Sequence, residues 1–291
     1  MRIRHYVLIY GMIVFLVFVP IRSGASAQVP SMKMHFINVG QGDSIFIQTP
    51  RKKNILIDGG PPDAGNKVVS YLKKHHVREI DLLISTHPDI DHIGGLPYVL
   101  KKIKTKQILD SGKLYNTKTY LKYMEEISQQ SIPIRVAKEN EKLDIDPSLQ
   151  IQVLNTYKKP KTNNQSSIAL KVSYERMDFL LMSDVDRKQE KRIVKKYNVR
   201  SEVLKVPHHG SNTSSSMSFL QAVNPQVAII TYSKTNDYGH PVNRVISNLN
   251  RLQTEIYSTA VFGDIVVQAT GSDYYILPQR TPEDGMTEKI S

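Results

Sequence analysis

Residues 82–95 read Leu82-Leu83-Ile84-Ser85-Thr86-His87-Pro88-Asp89-Ile90-Asp91-His92-Ile93-Gly94-Gly95. An apolar run stops, and two histidines and two aspartates follow within six residues. The run Leu82 to Ile84 is too short and too close to Pro88 for a helix, and its unbroken hydrophobicity predicts a strand buried on both faces. The polar cluster then falls in the loop at the strand's end, where a rigid scaffold presents chemistry. His87, Asp89, Asp91 and His92 can close on one divalent metal or a pair. Imidazole suits zinc-like ions, and carboxylate also suits harder ions such as manganese. A solvated turn would explain the Asp and Pro residues but not two His at these offsets.

The flanking pattern predicts short strands with helices between them. Met34 to Val39, Ser44 to Gln48 and Asn54 to Ile57 read as strands, the first two joined by the turn Gly40-Gln41-Gly42-Asp43. Asn66 to His76 reads as a helix with Val68, Val69 and Leu72 on one face. Leu96, Val99, Leu100 and Ile103 recur at helical spacing, as do Tyr120, Met124 and Ile127. Ile108-Leu109, Ile134 to Val136 and Ile151 to Leu154 are further strands, with Glu139 to Pro147 expected as a loop and Lys158 to Asn164 as a surface loop. Ser167 to Tyr174 and Phe179 to Met182 read as a hairpin, Arg187 to Tyr197 as a charged helix. Strands at 203–206, 227–232, 256–257, 265–268 and 274–277 and helices at 219–223 and 242–252 complete the chain. Strands in meander-like groups with intervening helices imply two mixed sheets face to face with helices outside.

Polar residues recur where predicted strands stop: Asp58, the His87 cluster, Asp184, the pair His208-His209, and His240. In α/β proteins such residues converge on one rim. Asp184 is the candidate bridging carboxylate of a two-metal site; alternatively it caps the helix near Arg187. His208 and His209 precede the turn Gly210-Ser211, and either could ligate or sit behind a ligand. His240, before Pro241, is a ligand or a packed loop residue. His35, His75 and His76 carry no such signal. The turn at Gly40 joins two strands, so it is not a phosphate loop, and Asp43 is expected to pin the floor of the site.

Composition sets the compartment and the partners. Arg2 and Arg4, the apolar stretch Tyr6 to Val19, and Ala25-Ser26-Ala27 form the pattern of a signal peptide over residues 1–27, or of an uncleaved anchor. Either predicts an exported, extracellular protein. A single domain over residues 32–278 and a flexible tail at 279–291 follow, with no other stretch apolar enough to span a membrane. There is no cysteine, so neither a disulfide nor a Cys-ligated metal is possible. The net charge is +12, and loss of Arg2, Arg4 and Arg22 with the signal leaves +9. That favours anionic partners: nucleic acid, another phosphodiester polymer, or an anionic lipid surface.

Six segments together resemble the metallo-β-lactamase superfamily, in the branch that contains the extracellular hydrolase domain of the competence DNA-uptake channel (ComEC type). They are Phe36-Ile37-Asn38-Val39-Gly40-Gln41-Gly42-Asp43-Ser44, Leu56-Ile57-Asp58-Gly59-Gly60, Thr86 to Leu96, Leu180-Leu181-Met182-Ser183-Asp184, Val206-Pro207-His208-His209-Gly210-Ser211, and Tyr238-Gly239-His240-Pro241. The resemblance implies a four-layer αββα sandwich with two divalent ions, zinc or manganese, at the edge between the sheets. It implies His87, Asp89, Asp91, His92 and Asp184 as ligands, joined by His208 or His209 and by His240, with Asp91 or one of His208, His209 and His240 moving protons. Asp89 stands where many relatives have His, and no His lies between His92 and His208. Asn163, Asn164 or Ser166 stand in the region of that middle ligand. Asn164, Ser166 and Ser211 are the expected substrate contacts. The implied activity is a secreted phosphodiesterase or nuclease acting on DNA. The competing readings are a phosphorylcholine-type esterase or lactonase, and a DNA-binding module with a degenerate site.

Overall fold

The computed structural model describes residues 30–156 and 162–282. The expected signal peptide, most of the expected tail and part of the loop at 158–164 lie outside the described residues. Two large sheets form the centre. The first has eight strands, in the order Tyr274–Pro278, Ile265–Ala269, Met32–Phe36, Ile45–Gln48, Asn54–Ile57, Leu82–Ser85, Ile108–Asp110 and Ile134–Val136. The second has seven: Glu255–Ser258, Val227–Ile230, Val203–Lys205, Met177–Leu181, Ala169–Tyr174, Leu149–Asn155 and Lys142–Leu143. Each sheet is antiparallel on one side and parallel on the other.

Alternation along the strands divides the core into three. Ile45, Ile47, Leu82 and Ile84 face Val172, Phe179, Val203 and Ile229 between the sheets. Phe46, Leu56 and Leu83 point the other way, onto the helices Gly65–Lys74, Leu96–Lys102 and Lys118–Gln129. Leu180, Leu204 and Ala228 do the same on the second sheet, under Arg187–Lys196, Met217–Val223 and Asn243–Arg251. The result is the four-layer αββα sandwich, and the Leu82–Ser85 strand is buried on both faces as its unbroken hydrophobicity requires. Among the described residues no helix is long and apolar enough to cross a membrane.

Two local expectations need correction, and two short elements were not expected at all. The ligand cluster is not all loop: Ile90–Ile93 forms one helical turn, so Asp91 and His92 leave a helix rather than a coil. The segment 139–147 contains the short strand Lys142–Leu143. A two-residue ladder, Glu79–Ile80 with Lys104–Thr105, and a helical turn at Thr259–Phe262 had no counterpart in the sequence reading. Elements of two to four residues are too short to show a period.

His35 is packed rather than functional. It is buried on the outer face of the first sheet, its Nδ1 2.9 Å from the Tyr71 hydroxyl and its ring against Phe46 and His75. Burial, helped by the neighbouring His75 and Lys33, lowers its pKa to about 3. Between that value and 6.5 the unfolded chain binds a proton that the folded chain does not, so stability from this group is complete above 6.5 and is lost as pH falls. Going from pH 7 to pH 5 should cost wild type about 2 kcal/mol more than His35→Gln in urea unfolding. Equal losses in the two proteins would remove His35 as the cause.

Candidate metal centre

The parallel strands of both sheets end at one rim. Asp58 follows Asn54–Ile57, His87 follows Leu82–Ser85, Asp184 follows Met177–Leu181, and His208-His209 follow Val203–Lys205. The backbone there is forced. Asp58, Ser183, His208 and His209 all have left-handed φ, between 46° and 57°. Such conformations cost about 1–3 kcal/mol each in non-glycine residues and persist only where the surroundings over-determine them. Gly42 has φ 136°, and a Cβ there would lie 2.2 Å from the Asp91 carbonyl oxygen, so only glycine lets this turn touch the ligand helix.

Asp91, His92, Asp184 and His209 bring one ligand atom each within 4.8 Å of one another. His92 Nε2 is 3.4 Å from Asp184 Oδ1, and His209 Nε2 is 3.3 Å from Asp91 Oδ2 and 3.6 Å from Asp184 Oδ2. His87 stands beside them, its ring centroid 4.0 Å from that of His92 and its Nε2 3.4 Å from Asp89 Oδ2. The far nitrogens of the rings are tied down. His92 Nδ1 lies 2.8 Å from Asp58 Oδ2, His209 Nδ1 2.8 Å from the Thr231 carbonyl oxygen, and His87 Nδ1 3.1 Å from Thr86 Oγ1. Asp58 also accepts from the Thr86 amide and hydroxyl, at 2.8 and 2.7 Å.

The residues fit a divalent cation. Nε2 of His87, His92 and His209 and Oδ1 of Asp184 are buried and make no hydrogen bond. Buried polar atoms left unmatched cost roughly 1–3 kcal/mol each, and here they gather at one place. Burial alone would raise the Asp184 carboxyl, but His92, His209 and His208 hold it well below the usual carboxylate range. Burial alone would lower His92 and His209, but Asp184, with Asp91, Asp58 and Asp43, raises both. A site that draws protons onto two buried imidazoles prefers positive charge, which a divalent ion supplies with the rings neutral. A second buried group, Asp43, Asp58 and His92, is already committed: Asp58 to Thr86 and His92, Asp43 to Lys205 Nζ at 2.8 Å.

The expected residues divide into those that meet and those that do not. Either His208 or His209 was expected as a ligand; the geometry puts His209 in the four-residue group. His208 is less buried, with Nε2 3.6 Å from Asp184 Oδ2 and 3.3 Å from Asn164 Nδ2. His240 lies on the cleft wall, 5.6 Å from the His208 ring. Burial lowers both, His240 to about 4. Ser166 and Ser211 do not meet the cleft. Ser166 is fully buried and donates to the Asn163 carbonyl at 2.5 Å, and Ser211 Oγ lies 3.1 Å from Thr213 Oγ1. Asn163 instead donates to Asp89 Oδ1 at 2.6 Å. The helix after Asp184 is capped by Asp186, whose carboxylate accepts from the Lys188 and Gln189 amides, so Asp184 is not the cap. Lys205 went unread; a lysine inside the apolar run Val203-Leu204-Lys205-Val206 was its only signal.

Residues 37–233 match the family model described as the metallo-beta-lactamase superfamily. The chain is 30% identical over 252 residues to "ComE operon protein 3" of Bacillus subtilis, covering 80% of this chain and 32% of that protein. It is 29% identical to "Competence protein ComA" of Neisseria gonorrhoeae, covering 78% of this chain and 31% of that protein. The chain thus spans about a third of the length of these curated relatives. Among solved structures, the metallo-beta-lactamase fold protein YhfI from Bacillus subtilis superposes with a TM-score of 0.57 at 12% identity, covering 82% of this chain and all of that one. Igni18, a metallo hydrolase from Ignicoccus hospitalis, gives 0.51 at 14% identity over 81% of this chain and 98% of that one. Both likenesses are of fold.

Isothermal titration with Mn²⁺ or Zn²⁺ should show binding that Asp184→Ala abolishes. Asp58→Asn should weaken it about 10–100-fold, because the His92 ring loses its anchor. Unchanged affinity in Asp58→Asn would mean that Asp58 does not orient His92.

Proposed function

The chain belongs to the metallo-β-lactamase superfamily, and from that premise we propose that it is a metal-dependent hydrolase that cuts phosphodiesters in DNA. The gathering of His87, His92 and His209 Nε2 atoms without a hydrogen-bond partner, beside a cleft of about 380 Å³ that Asp91, Asp184 and His209 line, carries the proposal. A degenerate binding module would have no reason to keep them unmatched. Asp91, His92, Asp184 and His209 would hold one ion, and His87 and Asp89 beside them would hold a second. Divalent ions so held neutralise developing charge on phosphoryl oxygens and lower the pKa of water.

The rest falls to the chain's own side chains. Asp58, Thr231 and Thr86 fix the imidazoles before substrate arrives. Asn163 aims Asp89. With Asp91 and His209 in the ion-binding group, His208 and His240 are the expected proton carriers left free to act. Both border the cleft and are neutral at pH 7, free to take up a proton there. The net charge of +12 favours a polyanion, and the competence relatives favour DNA. The amino-terminal apolar stretch supports an extracellular site of action.

Purified protein supplied with manganese or zinc should cleave linear DNA and bis(p-nitrophenyl) phosphate. His87→Ala and His209→Ala should each lower the rate by at least about 100-fold. Hydrolysis of lactones but not of any diester would overturn the proposal.

A further inference from the structure

Large hydrophobic side chains are exposed around the metal cleft. Ile90, Tyr115 and Tyr238 line it and are 56%, 40% and 70% exposed. Leu114 and Leu121, also exposed, belong to the same segment as Tyr115. That segment reads Lys113-Leu114-Tyr115-Asn116-Thr117-Lys118-Thr119-Tyr120-Leu121-Lys122, with lysines at intervals among the aromatic and apolar residues. Concentrated apolar exposure beside a reactive centre marks a binding surface. Lysines interleaved with aromatics suit a strand that offers both phosphates and the flat faces of bases.

The tyrosines sit at fixed places in the fold, and the Tyr238 ring is held in advance. Buried Tyr120 and Tyr123 anchor the helix Lys118–Gln129, whose first turn is capped by Thr117, and Tyr115 stands two residues before that cap. Tyr238 stacks on His240, ring centroids 5.6 Å apart and planes 22° apart. Its loop is braced by Asn236, which accepts from the Tyr238 and His240 amides at 3.1 and 3.0 Å and donates to the His240 carbonyl at 2.7 Å. An exposed ring that is already positioned loses little freedom when a partner stacks on it.

We propose that Tyr115 and Tyr238 form a stacking platform that seats an unpaired base beside the phosphodiester at the metal centre, so that the cleft takes single-stranded or frayed nucleic acid in preference to closed duplex. This rests on the phosphodiesterase reading of the cleft. A paired base has both faces covered by its neighbours in the stack and cannot meet the tyrosines, whereas an unpaired one can.

The test is binding without metal, in EDTA, read by fluorescence anisotropy. A labelled strand of roughly 12 nucleotides is compared with a blunt hairpin of the same composition. Wild type should prefer the strand. Tyr115→Ala and Tyr238→Ala should each weaken strand binding about fivefold or more, and the Phe variants should bind as wild type does. Tyr275→Ala, at an equally exposed tyrosine on the edge strand Tyr274–Pro278, should change nothing. Ala variants that bind like wild type, or equal affinity for the hairpin, overturn the platform. Displacement of the strand by phosphorylcholine but not by deoxyadenosine monophosphate overturns it as well, in favour of a methylammonium cage. Wild-type cleavage of bis(p-nitrophenyl) phosphate, measured separately, tells the two readings apart. If that cleavage fails while the tyrosine-dependent preference holds, only the hydrolase reading falls. If cleavage holds and the preference does not, only the platform falls.

Discussion

Asp43 is the residue on which the rim depends. Its amide donates to the Asp91 carbonyl at 3.2 Å, and its carbonyl accepts from the Gly60 amide at 2.8 Å. Its carboxylate takes the Lys205 ammonium from the opposite sheet and the hydroxyl of Thr231, whose carbonyl holds His209. One buried residue thus joins the ligand helix and the glycine turn after Asp58, through its backbone, to the second sheet, through its carboxylate. Removing one partner of such a pair leaves an uncompensated charge, at a cost of roughly 3–5 kcal/mol. Replacing both by hydrophobic residues could be neutral for stability, so what the pair contributes here is geometry: it sets the two sheets against each other where His92 and His209 must meet.

The charges above this floor are arranged in layers. Asp58 and Asp43 lie behind His92 and His209, and Asp91 and Asp184 lie in front. Each imidazole therefore sits between carboxylates, which raises its proton affinity despite full burial. The same arrangement makes the centre attractive to divalent ions. It also explains the concentration of left-handed residues at 58, 183, 208 and 209: strand ends must turn sharply to aim side chains inward, and the packed sheets on either side hold them there.

The chain corresponds to about a third of its competence-protein relatives, and its described residues form both sheets of the sandwich and the rim between them. In the region of the missing middle histidine stand Asn163 and Asn164, the first bonded to Asp89 and the second against His208.

Much of this was legible in the chain itself. The run Leu82 to Ile84 specified a doubly buried strand, and the polar residues at strand ends specified a shared rim, because both depend on local pattern and on the rule that parallel strands deliver their ends to one side. What the linear order could not decide was which of two adjacent histidines points inward, since that turns on two consecutive left-handed residues that the second sheet imposes. Nor could it place Ser166 and Ser211, whose hydroxyls are taken by the backbone and by Thr213, or pair Lys205 with Asp43 across 162 positions. Hydrophobic period determines layers and strand ends; the orientation of a buried polar group is set by partners distant in sequence, and only the packed sheets bring those partners together.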